Sequence, residues 1–279
     1  MADISKDRIR SALLVADAHC DPRESQDTFE RFPALGHYAA KHQPHVVVIG
    51  GDWGEFAGAN AKRGATILGG DGGAQQEGRR IESDEAAFIE ALEAFEGPIR
   101  QWNRRRGRRP KYQPERAFLE GNHEGFLRRP AQAHPAIGGK ISIDRIRGAA
   151  ERLGYEWYEQ DEVLDLGGAA MRHQFSFGGK GQAAGISTIY REAAASSVSW
   201  HTHKFDVRAG TDAFGRLRQN IVGPVYRHPS QCRGFETSGI LWLTNIERGQ
   251  FSWRMVPTEE ILSAYYADLR GSKRRARAA

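Results

Sequence analysis

The stretch "LEGNHEG", residues 119–125, sets an amide, an imidazole and a carboxylate side by side between two glycines. It follows the apolar run "RAFL" at 116–119, so it stands where a buried strand ends. Three adjacent polar side chains build a poor core. They suit a strand end, where a site can form.

Working outward, the same pattern recurs. "SALLVADAH" (11–19) is an apolar run ending in Asp17 and His19, and "HVVVIGGD" (45–52) ends in two glycines and Asp52. "GAAMRHQ" (168–174) ends in His173, and "SSVSWHTH" (196–203) ends in His201 and His203. Between these runs lie segments with helical apolar spacing. "SQDTFERFPALGHYAAKHQ" is interrupted by Pro33, "SDEAAFIEALEAFEGPIRQWNRR" has Ser83 as a candidate N-cap, and "STIYREAAAS" is a third helix. Strands alternating with helices predict a layered α/β domain with strands parallel in part.

Residues 57–80 are glycine-rich and weakly periodic, which predicts a loop insertion bordering whatever site Asp52 joins. After His203, "RLRQNIVGPVYR", "GILWLTNIE" and "GQFSWRMVP" read as antiparallel strands, with a hairpin turn at "ERGQ" (247–250). "TEEILSAYYADLR" opens on a Thr258 cap and reads as a helix leading to a basic tail at 270–279. One domain over 1–269 followed by that tail accounts for the 279 residues.

The bulk numbers exclude several classes. No run approaches the roughly 18–20 apolar residues of a membrane span, and the mean hydropathy is −0.61. "MADISKDRIR" is polar from its start, so a cytoplasmic protein, of a bacterium or of a host cell, is expected. Cys20 and Cys232 make neither a disulfide framework nor a thiolate zinc site. The net charge of +5 is concentrated at "RQWNRRRGRR" (100–109) and "RGSKRRARAA" (270–279). The arginines at 104–109 and 273–277 are candidate contacts to a nucleic-acid backbone.

The strand ends thus deliver Asp17, His19, Asp52, Asn122, His123, His173, His201 and His203 to one edge. Imidazole, carboxylate and amide donors without thiolate suit first-row divalent metals rather than calcium. One carboxylate can bridge two such ions, and ions about 3.5–4 Å apart form a clamp for attack on phosphorus.

In this order the motifs "DAH" (17–19), "GD" (51–52), "GNHE" (121–124), His173 and "HTH" (201–203) resemble those of the calcineurin-like metallophosphoesterase superfamily. The resemblance spans residues 17–203 and implies a four-layer α/β/β/α sandwich with two central mixed sheets, the strand-rich C-terminal third supplying the second sheet. It implies Asp17, His19 and His203 on a first metal, Asn122, His173 and His201 on a second, and Asp52 bridging them. His123 would face the substrate and protonate the leaving group, and Glu124 would brace the loop. The implied cofactor is two divalent ions, manganese foremost, with iron, zinc or nickel as alternatives. The implied activity is hydrolysis of phosphate esters through attack by a metal-bound hydroxide. The basic balance directs the expectation to phosphodiesters of nucleic acid or nucleotides. A phosphomonoesterase or protein phosphatase of the same fold is the alternative, and so is a nucleic-acid-binding protein with an inert metal site.

The sequence departs from the family pattern in places. Trp200 stands where a glycine is usual, and the expectation is that its ring packs inward. Gln174 follows His173 where glycine is common, so that loop is expected to differ in shape. Glu55 stands where phosphoprotein phosphatases carry an Asp that orients the catalytic His, and is expected to orient His123. Phe56, Ala57 and Glu120 replace residues that include two phosphate-gripping arginines, which counts against a dedicated protein phosphatase.

Overall fold

The β-branched and leucine-rich runs form strands covered on both faces, which is why they read as continuously apolar rather than alternating. In the computed structural model, which describes residues 9–56, 59, 73–128, 142–177, 182–212 and 215–278, the chain builds two mixed sheets flanked by helices. The strands are β1 (Ile9–Val15), β2 (Val46–Ile49), β3 (Glu115–Leu119), β4 (Glu156–Tyr158), β5 (Leu164–Leu166), β6 (Ala169–Met171), β7 (Ser197–Ser199), β8 (Asp206–Thr211), β9 (Leu217–Val222), β10 (Gly239–Glu247) and β11 (Gln250–Pro257). The helices are α1 (Gln26–Phe29), α2 (Arg31–His42), α3 (Gly73–Arg105), α4 (Asn122–Gly125), α5 (Asp144–Arg152), α6 (Ile186–Glu192) and α7 (Thr258–Ala278).

The first sheet has the order β11-β10-β1-β2-β3-β4 and the second β5-β6-β7-β9-β8. β1 to β4 are mutually parallel, as are β6, β7 and β9. Successive residues of β1 serve opposite faces. Leu13 packs with Phe32, Leu35, Phe88 and Phe95 from α2 and α3, while Leu14 packs with Met171, Val198 and Ile221 of the second sheet. A smaller cluster of Phe175, Ile189 and Val222 joins α6 to the second sheet.

Several expectations are corrected. Residues 73–80, assigned to the glycine-rich loop, are the opening turns of the 33-residue α3, and Ser83 lies inside that helix rather than capping it. Two glycines there each cost about 1 kcal/mol of helix propensity, but extending an existing helix gains one hydrogen bond per residue. Of 57–72, only Ala59 lies within the described residues. The C-terminal strands do not all build the second sheet. β10 pairs antiparallel with β1 through Leu13↔Trp242 and Leu14↔Leu241, so the β10–β11 hairpin completes the first sheet, and only β8 and β9 join the second. β9 is antiparallel to β8 but parallel to β7.

Pro33 does not break its helix. The chain divides at Glu30, and Pro33 falls in the first turn of α2, where backbone N–H groups lack intrahelical partners. The "ERGQ" hairpin is present, with Arg248 at φ 52° and Gly249 at φ 74° supplying the positive angles of a type I′ turn. The basic stretch after Arg270 continues α7 to Ala278, with the side chains from 273 onward outside the described ones. Among the described residues, no helix is long and apolar enough to cross a membrane.

Candidate metal centre

The carboxyl ends of β1, β2, β3, β6 and β7 converge on one edge, and backbone hydrogen bonds lock their loops together. The N–H groups of Asp17, His19 and Cys20 donate to the carbonyls of Gly51, Asp52 and Trp53 at 3.0, 3.0 and 2.8 Å. Asp17, His19, Asp52, His201 and His203 all have φ between 48° and 72°. A left-handed backbone at Asp and His costs energy, and five such residues on one edge mark a site whose geometry is imposed by its surroundings.

The side chains form two donor sets, and His123 with His19 and Glu55 makes a third possible group that overlaps the first. His19 Nε2 and His203 Nε2 are 3.1 Å apart, and Asp17 Oδ1 lies 4.0 and 3.8 Å from them. In the second set His173 Nε2 lies 3.2 Å from Asn122 Oδ1 and 3.3 Å from Asp52 Oδ2. His201 faces this set, with its ring 5.3 Å from that of His173 and nearly perpendicular to it. Asp52 Oδ2 also lies 4.0 Å from His19 Nε2, so one carboxylate oxygen stands between the two sets.

Each aspartate is held by one oxygen and presents the other. Asp17 Oδ2 accepts from the His201 N–H at 3.1 Å, and Asp52 Oδ1 accepts from the His123 N–H at 2.8 Å. Asp17 Oδ1 and His201 Nδ1 are buried with no hydrogen-bond partner. Buried polar atoms without partners are costly, and nitrogen and oxygen donors converging on them fit a divalent cation. These buried His/Asp clusters can hold metal ions.

Neighbouring groups fix the rings. His173 Nδ1 contacts the Gly50 carbonyl at 2.8 Å, His19 Nδ1 contacts Glu55 Oε2 at 2.8 Å and His203 Nδ1 contacts Glu236 Oε1 at 3.0 Å. With an ion bound, a proton kept on each Nδ1 would leave each Nε2 lone pair facing the centre. Glu124 accepts from the backbone N–H groups of Asp52, Trp53, Gly54 and Gly121 at 2.8–3.3 Å, tying the β2 and β3 loops together as expected of a brace. Glu55 meets His123 through its backbone rather than its side chain. Its backbone carbonyl takes His123 Nδ1 at 2.6 Å, while its carboxylate stays 3.9 Å from that nitrogen and serves His19. His123 Nε2 is left 3.9 Å from Asp52 Oδ2.

The electrostatics follow from burial. Desolvation lowers the pKa of His19 and of His201, with His173 adding to the effect on His201, so both rings stay neutral and able to donate lone pairs. Burial also opposes charge on His173, but the Asp52 carboxylate outweighs it and pushes the ring up to about 10. Burial likewise opposes charge on Asp52, yet His173 and His123 hold it well below the usual carboxylate range. The His173 proton thus supplies positive charge beside Asp52, where a cation would supply it instead. Burial and then Asp52 raise Glu124 to about 7, against backbone N–H groups that favour its charged form.

Trp200 is buried as expected. A Cβ on Gly50 would come within 2.6 Å of its ring and one on Gly223 within 2.1 Å of its Nε1, so two distant glycines make the room it needs. Gln174 is half-buried, and the His173 beside it is fully buried in the second set. Glu120 faces inward, with Arg128 Nε and Nη2 at 3.1 and 2.7 Å.

Glu236 was not among the residues singled out from sequence. It lies 33 positions beyond His203 in "RGFETSG", a loop segment with no motif, so only the folded chain reveals it. Burial opposes its charge, but the Arg233 N–H, at 3.0 Å, and His203 hold its carboxyl below the usual range. Glu236→Ala is expected to weaken metal binding by roughly 10–100-fold, with Glu236→Gln intermediate. Competition with a metal-sensitive dye measures this, and an Ala variant with wild-type affinity would remove Glu236 from the site.

The arginine run at 104–109 lies elsewhere. Lys111 Nζ meets the carbonyls of Asn103 and Gly107 at 2.6 and 2.9 Å, and the Tyr112 hydroxyl donates to the Pro44 carbonyl at 2.9 Å, just ahead of β2. That is the amino end of the strands, opposite the metal edge. α7 starts near Ser238, reaches His37 and Lys41 of α2 through Asp268, and only then enters its basic stretch.

No family model matches the sequence, and no curated protein matches it. Among solved structures, TT1561 of Thermus thermophilus is similar at 10% identity over 88% of this chain and 99% of that one, with a TM-score of 0.31. Another crystal structure is similar with the same identity and coverage and a TM-score of 0.43. Likenesses this weak carry no argument about the site.

Proposed function

We propose that the chain is a metal-dependent phosphoesterase with the α/β/β/α metallophosphoesterase fold, holding two divalent ions and hydrolysing phosphodiesters. The observation that carries this reading is Asp52 Oδ2, a single carboxylate oxygen set 4.0 Å from His19 Nε2 and 3.3 Å from His173 Nε2, between two separate donor sets. Asp17, His19 and His203 would hold one ion, Asn122, His173 and His201 the other, with Asp52 shared. Ions bound there would draw charge from the phosphoryl oxygens and acidify a water to make the nucleophile.

The chain's own residues supply the rest. Asn122 would contribute a neutral oxygen, a donor that offsets less of a cation's charge than a carboxylate does. Glu55 O holds the proton on His123 Nδ1, so His123 Nε2 is the atom that carries the proton of general acid catalysis to the leaving oxygen. The Phe126 ring, 4.8 Å from that of His123, walls this side of the imidazole. With Glu120 turned to Arg128, no arginine replaces the grip of a phosphoprotein phosphatase at that position, which favours esters other than phosphoproteins.

The test is turnover of bis-p-nitrophenyl phosphate and of p-nitrophenyl phosphate by manganese-loaded protein. Hydrolysis of both, with the diester turned over faster, is expected. No release of p-nitrophenol above the metal-only background from either ester would sink the reading.

A further inference from the structure

Phe235 stands 55% exposed, immediately before the glutamate that braces His203. Lys204, immediately after His203, places its Nζ 6.0 Å from the centre of the Phe235 ring. Neither residue is carried on a loose loop. The Tyr226 N–H donates to the Ala16 carbonyl at 2.9 Å, Gln231 Nε2 donates to Glu24 Oε1 at 2.8 Å, and Glu236 ties the far end to His203. The segment 226–236 is therefore pinned to the β1 loop at one end and to the first donor set at the other. Lys204, facing this segment, and Arg233 within it are exposed cations, while Arg227 Nη1 lies 3.7 Å from Glu236 Oε2. An aromatic face held open to solvent among cations, beside a site suited to phosphate, is the chemistry that takes an unstacked base and its backbone.

We propose that Phe235 and Lys204 form a ledge that stacks the base, and pairs with the phosphate, of a nucleotide or single-stranded nucleic acid presented to the metal edge. This deepens the phosphoesterase reading and rests on it for what is then done to the ligand. It also moves nucleic-acid recognition from the arginine run at 104–109, at the far end of the strands, to the site itself.

Calorimetric titration of the manganese-loaded protein with thymidine 5′-monophosphate and with methyl phosphate tests the ledge without needing turnover. Phe235→Ala is expected to weaken the nucleotide by roughly tenfold relative to methyl phosphate, and Phe235→Trp to keep the wild-type preference. An unchanged preference in the Ala variant, an equal loss on both ligands, or a wild type that binds the nucleotide no better than methyl phosphate would overturn it. Failure of p-nitrophenyl ester hydrolysis would instead strike the phosphoesterase reading and leave this binding comparison standing.

Discussion

His123→Ala is expected to lower kcat for bis-p-nitrophenyl phosphate by roughly 10²–10⁴-fold while the protein keeps its full complement of ions. The expectation rests on what His123 touches. Its Nδ1 is committed to the Glu55 carbonyl at 2.6 Å, and its Nε2 stays 3.9 Å from Asp52 Oδ2. It thus borders the two donor sets, and with His19 and Glu55 it makes a further possible ligand group, which is why metal content must be read beside turnover. On the proposed mechanism, removing it takes away a proton carrier and leaves the proposed ligands His19, His173, His201 and His203 in place. A loss of ions in step with activity would make His123 a ligand and change its role. A variant with wild-type turnover would take it out of the chemistry altogether. Leaving groups separate these roles further, since an ester with a poor alkoxide leaving group should lose more than one with p-nitrophenol.

Gly121→Ala is expected to abolish the site by steric means alone. The backbone at Gly121 is ordinary, with φ −87° and ψ 176°, so the objection to a side chain is space. A Cβ there would sit 2.2 Å from Asp52 Oδ1 and 2.3 Å from the Asp52 backbone nitrogen. Backbone cannot swing aside as a flexible side chain can, so the β2 and β3 loops must part. Glu124 would then lose its grip on Asp52 N–H and Gly121 N–H together. Overpacking of this kind costs about 1–3 kcal/mol or more, which for a chain of this size lowers Tm by roughly 2–12 °C. Metal binding should fall with it. Gly271→Ala is the matched control. It lies within α7 with open space where a Cβ would stand, and should raise stability by about 0.5–1 kcal/mol. A Gly121→Ala protein with wild-type Tm and wild-type metal content would contradict the close approach described here.

The legible part of this protein was the part in which each signal is local. An apolar run covered on both faces ends where polar residues begin, and that rule alone found the ends of β1, β2, β3, β6 and β7 and the side chains they carry. The glycines of "GGD" and "GNHE" signalled tight backbone, and Gly51 at φ 90° with Gly121 against it is what they provide. What was not legible depended on distant contacts. The room for Trp200 comes from Gly50 and Gly223, one in each sheet's loops. The brace on His203 comes from Glu236, and a loop glutamate has no periodicity by which to be noticed. Glu55 meets His123 through its backbone carbonyl, a contact that backbone geometry makes and side-chain identity does not signal. The start of α3 was hidden by glycines whose local preference is outvoted by the helix they extend. β10 could have joined either sheet by its sequence, since Ile240 and Trp242 line one of its faces and Leu241 and Leu243 the other, and pairing with β1 decided the matter.

The central claim is that one carboxylate, Asp52, joins two metal-binding sets. Metal content, measured by mass spectrometry on protein loaded with manganese and freed of unbound ion, tests it most directly. The account predicts two ions per chain for the wild type and at most one for Asp52→Ala, whose two donor sets would lose the oxygen between them. Fewer than one ion per chain in the wild type, or an Asp52→Ala protein that retains two, would contradict it.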